Sequence, residues 1–226
     1  QPIRERLGLD EYDLSSCLDP DEVPRLESIG GRSFLVWKSP EKTTIADAIE
    51  MNVRSVGVVL QGDRLGFVAA SGAISFGDRE YQGVRNTRDV LLRFLLNSIR
   101  HYVSHLRTIK QLSTSLERKI MTSMENHHLL QMFALSESLI YYVNSIDSNG
   151  VLLTKLRASA PQLGFDAPQL QLLDDIVLEN EQAVRQARIY SSVLGGLMDA
   201  RGTIVNNNMN VLLKNLTLIN IVFLPL

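Results

Sequence analysis

The sequence predicts an α+β chain: a small N-terminal α/β domain over residues 1–85, long antiparallel helices over 86–167, and a very long stalk helix over 168–226 that enters the membrane. Three observations lead there. Glycine-punctuated, β-rich runs dominate before residue 85, and helical spacing of apolar residues takes over after it. No proline falls between Pro168 and Pro225. Beyond Lys214 the chain carries no charge and turns apolar up to Leu226, interrupted only by Asn215, Thr217 and Asn220.

In chain order, residues 10–18 have helical character, and Asp19-Pro20 marks the end of that helix. Gly30-Gly31 lacks the Lys-Ser/Thr of a phosphate loop and reads as a turn. Residues 32–38 read as a strand. Two more, 53–60 and 64–70, are joined by Gln61, Gly62 and Asp63, a short glycine-containing connection that suits a hairpin. Residues 73–76 offer a fourth strand. The stretch 43–51 fits either a short helix or a strand.

Asn86 or Thr87 can cap the next helix, in which Val90, Leu91, Phe94, Leu95, Ile99, Tyr102, Val103 and Leu106 recur at three and four residues up to about residue 120. A second helical run covers 125–146, where Asn149-Gly150 predicts a break before a third piece at 151–156. Pro161, Gly164 and Pro168 then mark a loop, with Pro168 acceptable in the first turn of the helix that follows. In that helix, positions seven apart give an apolar row, Leu170, Val177, Val184, Ser191, Met198, Val205 and Leu212. A second row, Leu173, Asn180, Ala187, Leu194, Arg201, Asn208 and Asn215, turns polar towards its end. Sustained heptads predict packing along the whole length, against neighbours that include copies of itself. The closing apolar run has about half of the ~20 residues a span requires, so it reads as the first part of a transmembrane helix.

Composition narrows the function classes. Net charge is −2 over 226 residues, which supplies no field for nucleic acid. The 45% hydrophobic and 21% charged content is that of a folded chain. The single cysteine, Cys17, excludes a disulfide framework and a multi-cysteine zinc ribbon, and fits a reducing compartment. The start at Gln1 shows no secretory leader pattern and, without Met, suggests missing upstream residues. No Ser/His/Asp or Cys/His constellation is readable, so no enzyme is expected. His101 and His105 have metal-ligand spacing but lack a third ligand, and read as structural or surface residues. The adjacent His127 and His128 point different ways on a helix and read as solvent residues.

Gly196-Leu197-Met198-Asp199, then Asn210-Val211-Leu212-Leu213-Lys214-Asn215-Leu216-Thr217, then Phe223-Leu224-Pro225-Leu226 carry a resemblance to the CorA family of divalent-metal transport proteins. In that family Gly-Leu-Leu-Asp precedes an Asn-Glu-Val-Met-Lys-Val-Leu-Thr run and a Phe-Met-Pro-Leu. Looser similarity runs back through Leu139, Ile140, Tyr141, Tyr142 and Val143 to the α/β domain. The family's Gly-Met-Asn signature would lie beyond Leu226. The resemblance implies a homopentamer in the cell (inner) membrane, with this portion forming a cytoplasmic funnel and each stalk helix lining the pore. It implies gating by intracellular metal, Mg2+ first, with Co2+, Ni2+ or Zn2+ as further cargo. A zinc-transporting member of the same family and a non-conducting membrane-tethered scaffold are the alternatives.

Candidate residues follow from both readings. The resemblance matches Asp175 to the stalk half of an inter-subunit metal site. Its acidic partner should fall in the 9–18 helix, where the nearest register gives Ser16, with Asp10, Glu11, Asp13 and Asp19 close by; Asp13 is the chosen candidate. Asp174, Asp175 and Glu179 otherwise read as carboxylates compensating a helix N-terminus, while Asp175 and Glu179 at i,i+4 suit a hard cation that keeps most of its waters. Asp199, a further ~36 Å along the helix, would form a carboxylate ring in a parallel oligomer, or is an exposed Asp beside Arg201. Asn210, Leu213, Thr217, Asn220 and Leu224 share one helical face, alternating amide or hydroxyl rings with apolar girdles. That pattern suits a pore that binds cations weakly and gates by dewetting.

Overall fold

The computed structural model describes residues 8–41, 44–45, 49–70, 81–122 and 126–223. Helix α1 (Glu11–Leu18) leads into strands β1 (Arg25–Ile29), β2 (Arg32–Pro40), β3 (Thr44–Ile45), β4 (Ile49–Glu50), β5 (Val53–Gln61) and β6 (Arg64–Ala69). Three long helices follow: α2 (Thr87–Thr122), α3 (Asn126–Ser159) and α4 (Ala167–Phe223).

The main sheet is antiparallel in the order β1-β2-β5-β6, and β3 and β4 form a separate two-stranded ribbon. Gly30 and Gly31 both take positive φ, 59° and 78°, so the β1–β2 hairpin closes in two residues with Ile29 opposite Arg32. This is the left-handed conformation that glycine adopts without steric cost. Gly62, at φ 58°, closes β5–β6 in the same manner. The ribbon resolves the 43–51 alternative in favour of strands. Strand β1 carries no apolar alternation in its sequence, because Arg25, Glu27 and Ser28 break it. The expected strand at 73–76 lies outside the described residues.

Strand β2 is buried on both faces, which explains its unbroken apolar run. Leu35, Trp37, Val56, Val58 and Leu60 join the core shared with the long helices. Phe34, Val36 and Val59 face the other way, onto Leu9 and Cys17. Gly57 makes that second layer possible: a Cβ there would come within 2.0 Å of Cys17 Sγ.

Helices α2 and α4 run parallel, with α3 antiparallel between their ends. Gln169 in the first turn of α4 donates from Nε2 to Asp89 Oδ1 (2.6 Å) and Asn86 Oδ1 (3.0 Å) at the start of α2. Asn86 also accepts from the backbone N–H groups of Arg88 and Asp89, and so caps α2. Asp166 and Gln169 exchange bonds as a capping box for α4.

Helix α3 does not break at Asn149-Gly150. The buried Asn149 is absorbed by the sheet: its Oδ1 accepts from Lys38 N–H (3.0 Å) and its Nδ2 donates to Lys38 C=O (2.8 Å). This occurs past the end of β1, which pairs with β2 only as far as Val36. Gly150 leaves room for Asn180, whose Nδ2 would lie 3.0 Å from a Cβ there and donates to Ile146 C=O at 3.0 Å.

The second heptad row of α4 is the buried one. Leu173, Asn180, Ala187 and Leu194 are all inaccessible, joined by Ile176 and Ala183. Leu170, Val177, Ser191 and Met198 of the first row are only partly buried. The heptad seam is therefore filled by α2 and α3 of the same chain.

One expectation is overturned. Among the described residues no helix is long and apolar enough to cross a membrane. α4 has the length, at 57 residues, but not the apolarity. Asn206, Asn207, Asn208, Asn210, Lys214, Asn215, Thr217 and Asn220 are spread through its end, so a window of ~20 residues takes in a charge and several amides. The stalk is a long helix, and its reading as the start of a transmembrane segment is corrected.

Candidate metal and ion-path site on the long helix

The acidic residues near the start of α4 meet different surroundings. Asp174 is held by Arg157 of α3, through Nε and, at 3.1 Å, through Nη2. That hydrogen bonding keeps its carboxyl below the ordinary carboxylate range. Glu179 lies 3.9 Å from Arg100 of α2. Asp175 is exposed, and no ion pair to it occurs among the described residues. Of the three, Asp175 alone has no cationic neighbour among the described residues. It sits at the edge of the outer face of α4, turned away from α2 and α3.

That face carries Leu178, Ile189 and Val193, each more than half exposed. A helix face that is apolar and uncovered in one chain is a surface for association. Asp199 is also exposed, further along the helix.

The α1 candidate is committed elsewhere. Asp13 is buried, is N3 of a capping box with Asp10, and accepts from Arg32 Nη2 at 3.0 Å. Ser16 is buried too, with Oγ accepting from Arg25 Nη2 at 3.1 Å. Asp10, Glu11 and Asp19 are the exposed carboxylates of α1 and its ends. Among the described residues, no group of three His, Cys, Asp or Glu side chains lies together to hold a metal within one chain.

Near the end of α4, Asn210, Leu213 and Thr217 are exposed, and Thr217 Oγ1 donates to Leu213 C=O at 2.8 Å. Every described side chain from Met209 to Ile219 is exposed. The Asn220 side chain and Leu224 lie outside the described residues. Extending the α2–α4 register puts the end of α2 beside Gly202, so α4 overshoots its neighbours by about 30 Å. The pattern of long-range contacts was not readable in sequence, but the uncharged tail did signal that this segment needs cover.

The other polar candidates are structural. His105 Nδ1 lies 2.7 Å from Tyr142 Oη across the α2–α3 interface. Burial, with the neighbouring His101, lowers the His105 pKa and favours the neutral ring. The Cys17 thiol is pushed up to about 11 by burial and by the Asp13 charge, which leaves it inert.

Across residues 1–226 the sequence matches the family described as CorA-like Mg2+ transporter protein. It is 21% identical over 230 residues to the cobalt/magnesium transport protein CorA of Methanocaldococcus jannaschii, covering 98% of this chain and 71% of that protein. The fold superposes on the complete structure of the CorA magnesium transporter from the same organism with a TM-score of 0.80 at 19% identity, over 98% of this chain and 71% of that one. It also superposes on the ZntB cytoplasmic domain from Vibrio parahaemolyticus with a TM-score of 0.68 at 10% identity, over 91% and 83% of the two chains.

Proposed function

The chain belongs to the CorA-like Mg2+ transporter family, and on that premise we propose that copies of it assemble around α4 into a homo-oligomer, a pentamer by the family resemblance, that passes divalent cations with Mg2+ foremost. Transport, not catalysis, is what the family membership assigns. This portion is then the cytoplasmic part of an inner-membrane transporter. The observation that carries the reading is the outer face of α4, where Leu178, Ile189 and Val193 are uncovered and Asp175 stands beside them with no cationic neighbour among the described residues.

Assembly through that face brings Asp175 of one copy towards the next. Mg2+ takes one or two carboxylates and keeps its remaining waters, so Asp175, with Glu179 one turn on, suits a shared ion completed by a carboxylate of the adjacent α1. Glu11 is exposed there, whereas Asp13 would first have to leave Arg32. Bound metal holds the closed arrangement when internal Mg2+ is high. Its loss leaves like charges facing each other and favours an open or asymmetric state.

Further along, Asp199 forms a carboxylate ring that concentrates cations. Asn210, Leu213, Thr217, Asn220 and Leu224 then line the ion path between copies, with amide and hydroxyl oxygens binding hydrated ions weakly between apolar girdles. Co2+, Ni2+ and Zn2+ are the further cargo to compare. In limited proteolysis, millimolar Mg2+ is expected to protect α4, and Asp175→Ala to abolish that protection. Identical digestion with and without metal would overturn the sensor.

A further inference from the structure

Glycine inside a helix weakens it about fivefold relative to alanine. It is kept where another group has to come close or where the chain has to bend. Gly150 of α3 is of the first kind, since a Cβ there would lie 3.0 Å from Asn180 Nδ2. Helix α4 contains Gly195, Gly196 and Gly202, and these answer to no such neighbour. A Cβ on any of them meets nothing within 4 Å among the described residues, and none has a positive φ. Alanine would fit at all three, so packing within the chain does not account for them.

Their place along the helix does. The last buried residue of α4 among the described residues is Leu194. Leu197 and Met198 are partly buried against the core, and the α2–α3 hairpin ends beside Gly202. Just beyond come the β-branched Thr203, Ile204 and Val205 and four asparagines before Val211, all of them weak helix formers. From Met209 to Ile219 the described side chains are exposed. Local helix propensity therefore falls at the point where tertiary packing stops supporting the helix.

We propose that residues 195–202 are a bending point, on which the distal ~30 Å of α4 swings relative to the shaft held by α2 and α3. Domain and helix motions concentrate their φ/ψ change in a few such residues. Three alanines would make this stretch about a hundredfold more helical, so a helix that serves as a rigid rod gains nothing from the glycines. The swinging part carries Asn210, Leu213 and Thr217, so bending changes how closely the ends of the copies converge. That consequence rests on the transport reading, whereas the bend belongs to this chain alone. The competing explanation is a second copy pressed against the glycines, and the test separates the two.

The test uses the whole chain in its oligomer, with Arg185→Cys and Leu212→Cys spin-labelled and diluted among unlabelled copies. Buried Cys17 takes no label. Along a straight helix the two sites are ~40 Å apart. The native glycines are expected to give a broad distribution reaching several ångströms below that separation. Gly195→Ala, Gly196→Ala and Gly202→Ala together are expected to narrow it to one peak at the straight-helix value. Amide exchange over 195–210 should slow at least tenfold in the triple variant, with the packed stretch 173–187 unchanged. Two results overturn the bend. One is an equally narrow distribution with and without the glycines. The other is a triple variant whose copies come apart in sedimentation, which would assign the glycines to a close contact between copies. Divalent-cation uptake by the full transporter reads the consequence and should fall as the distribution narrows. Unchanged uptake with a narrowed distribution would overturn the link to transport and leave the bend standing. No uptake by the unaltered protein would overturn the transport reading alone, because the distances judge the bend without it.

Discussion

Asp89 shows how one side chain ties three segments together. Burial alone would raise its pKa, but hydrogen bonds from Arg85 and Gln169, with the Arg85 charge, lower it to about 2. Arg85 also reaches Asp166 at 3.0 Å, so the starts of α2 and α4 share one polar lock. A carboxyl whose folded pKa is depressed contributes stability above its unfolded pKa and loses it as pH falls through the folded value. Between about pH 4 and pH 2 the protein is therefore expected to lose on the order of 2 kcal/mol from this group. Asp89→Asn should remove that part of the pH dependence, measured as the difference between urea unfolding curves of the two proteins at pH 6, 4 and 2.5. Asn86 was legible as a cap because capping is local. Asp89 was not singled out, because Gln169 stands eighty positions away in sequence and reaches it only through folding.

At the scale of elements, the long helices were read correctly as helices and wrongly divided once. Asn149-Gly150 is a breaker pair by local propensity, yet α3 passes through it because Asn149 completes the hydrogen bonding of β2 and Gly150 lets α4 approach. Asn149→Ala would strip both partners from the buried Lys38 peptide groups. It is expected to cost about 2–4 kcal/mol, read from the denaturation midpoint, with hydrogen exchange at the Lys38 amide accelerated. Strand β1 is illegible in the sequence for a related reason: an edge strand with Arg25 and Glu27 lacks alternation, and its pairing is set by the Gly30-Gly31 turn. The end of α4 is the larger lesson. Periodicity revealed the helix and its heptads, but which row was internal depended on the positions of α2 and α3. The step from an apolar tail to a spanning helix failed because Asn215 and Asn220 lie within the tail and Lys214 and four further asparagines lie just before it.

For the whole molecule, α2 and α3 fill the main heptad seam of α4, so the proposed self-association is expected to use its outer face. Ile189→Asp would place a charge in the middle of that face without touching the core. It is expected to weaken oligomerisation at least tenfold, measured by sedimentation across a concentration series, while the thermal midpoint of the monomer stays unchanged. An unaltered oligomer would show that the copies meet elsewhere. The sequence by itself determined the change from β-rich to helical character near residue 85, the likeness to a metal-transport family and the acidic start of the long helix, because all of these reside in composition, spacing and local motif. The tertiary structure alone decided which carboxylates are available. Asp174, Glu179 and Asp13 each face an arginine brought in by folding, while Asp175 faces none among the described residues. The physical reason is that neutralisation of a charge depends on which distant side chain packs within a few ångströms, and only the folded arrangement of α1, the sheet and the three long helices sets that distance.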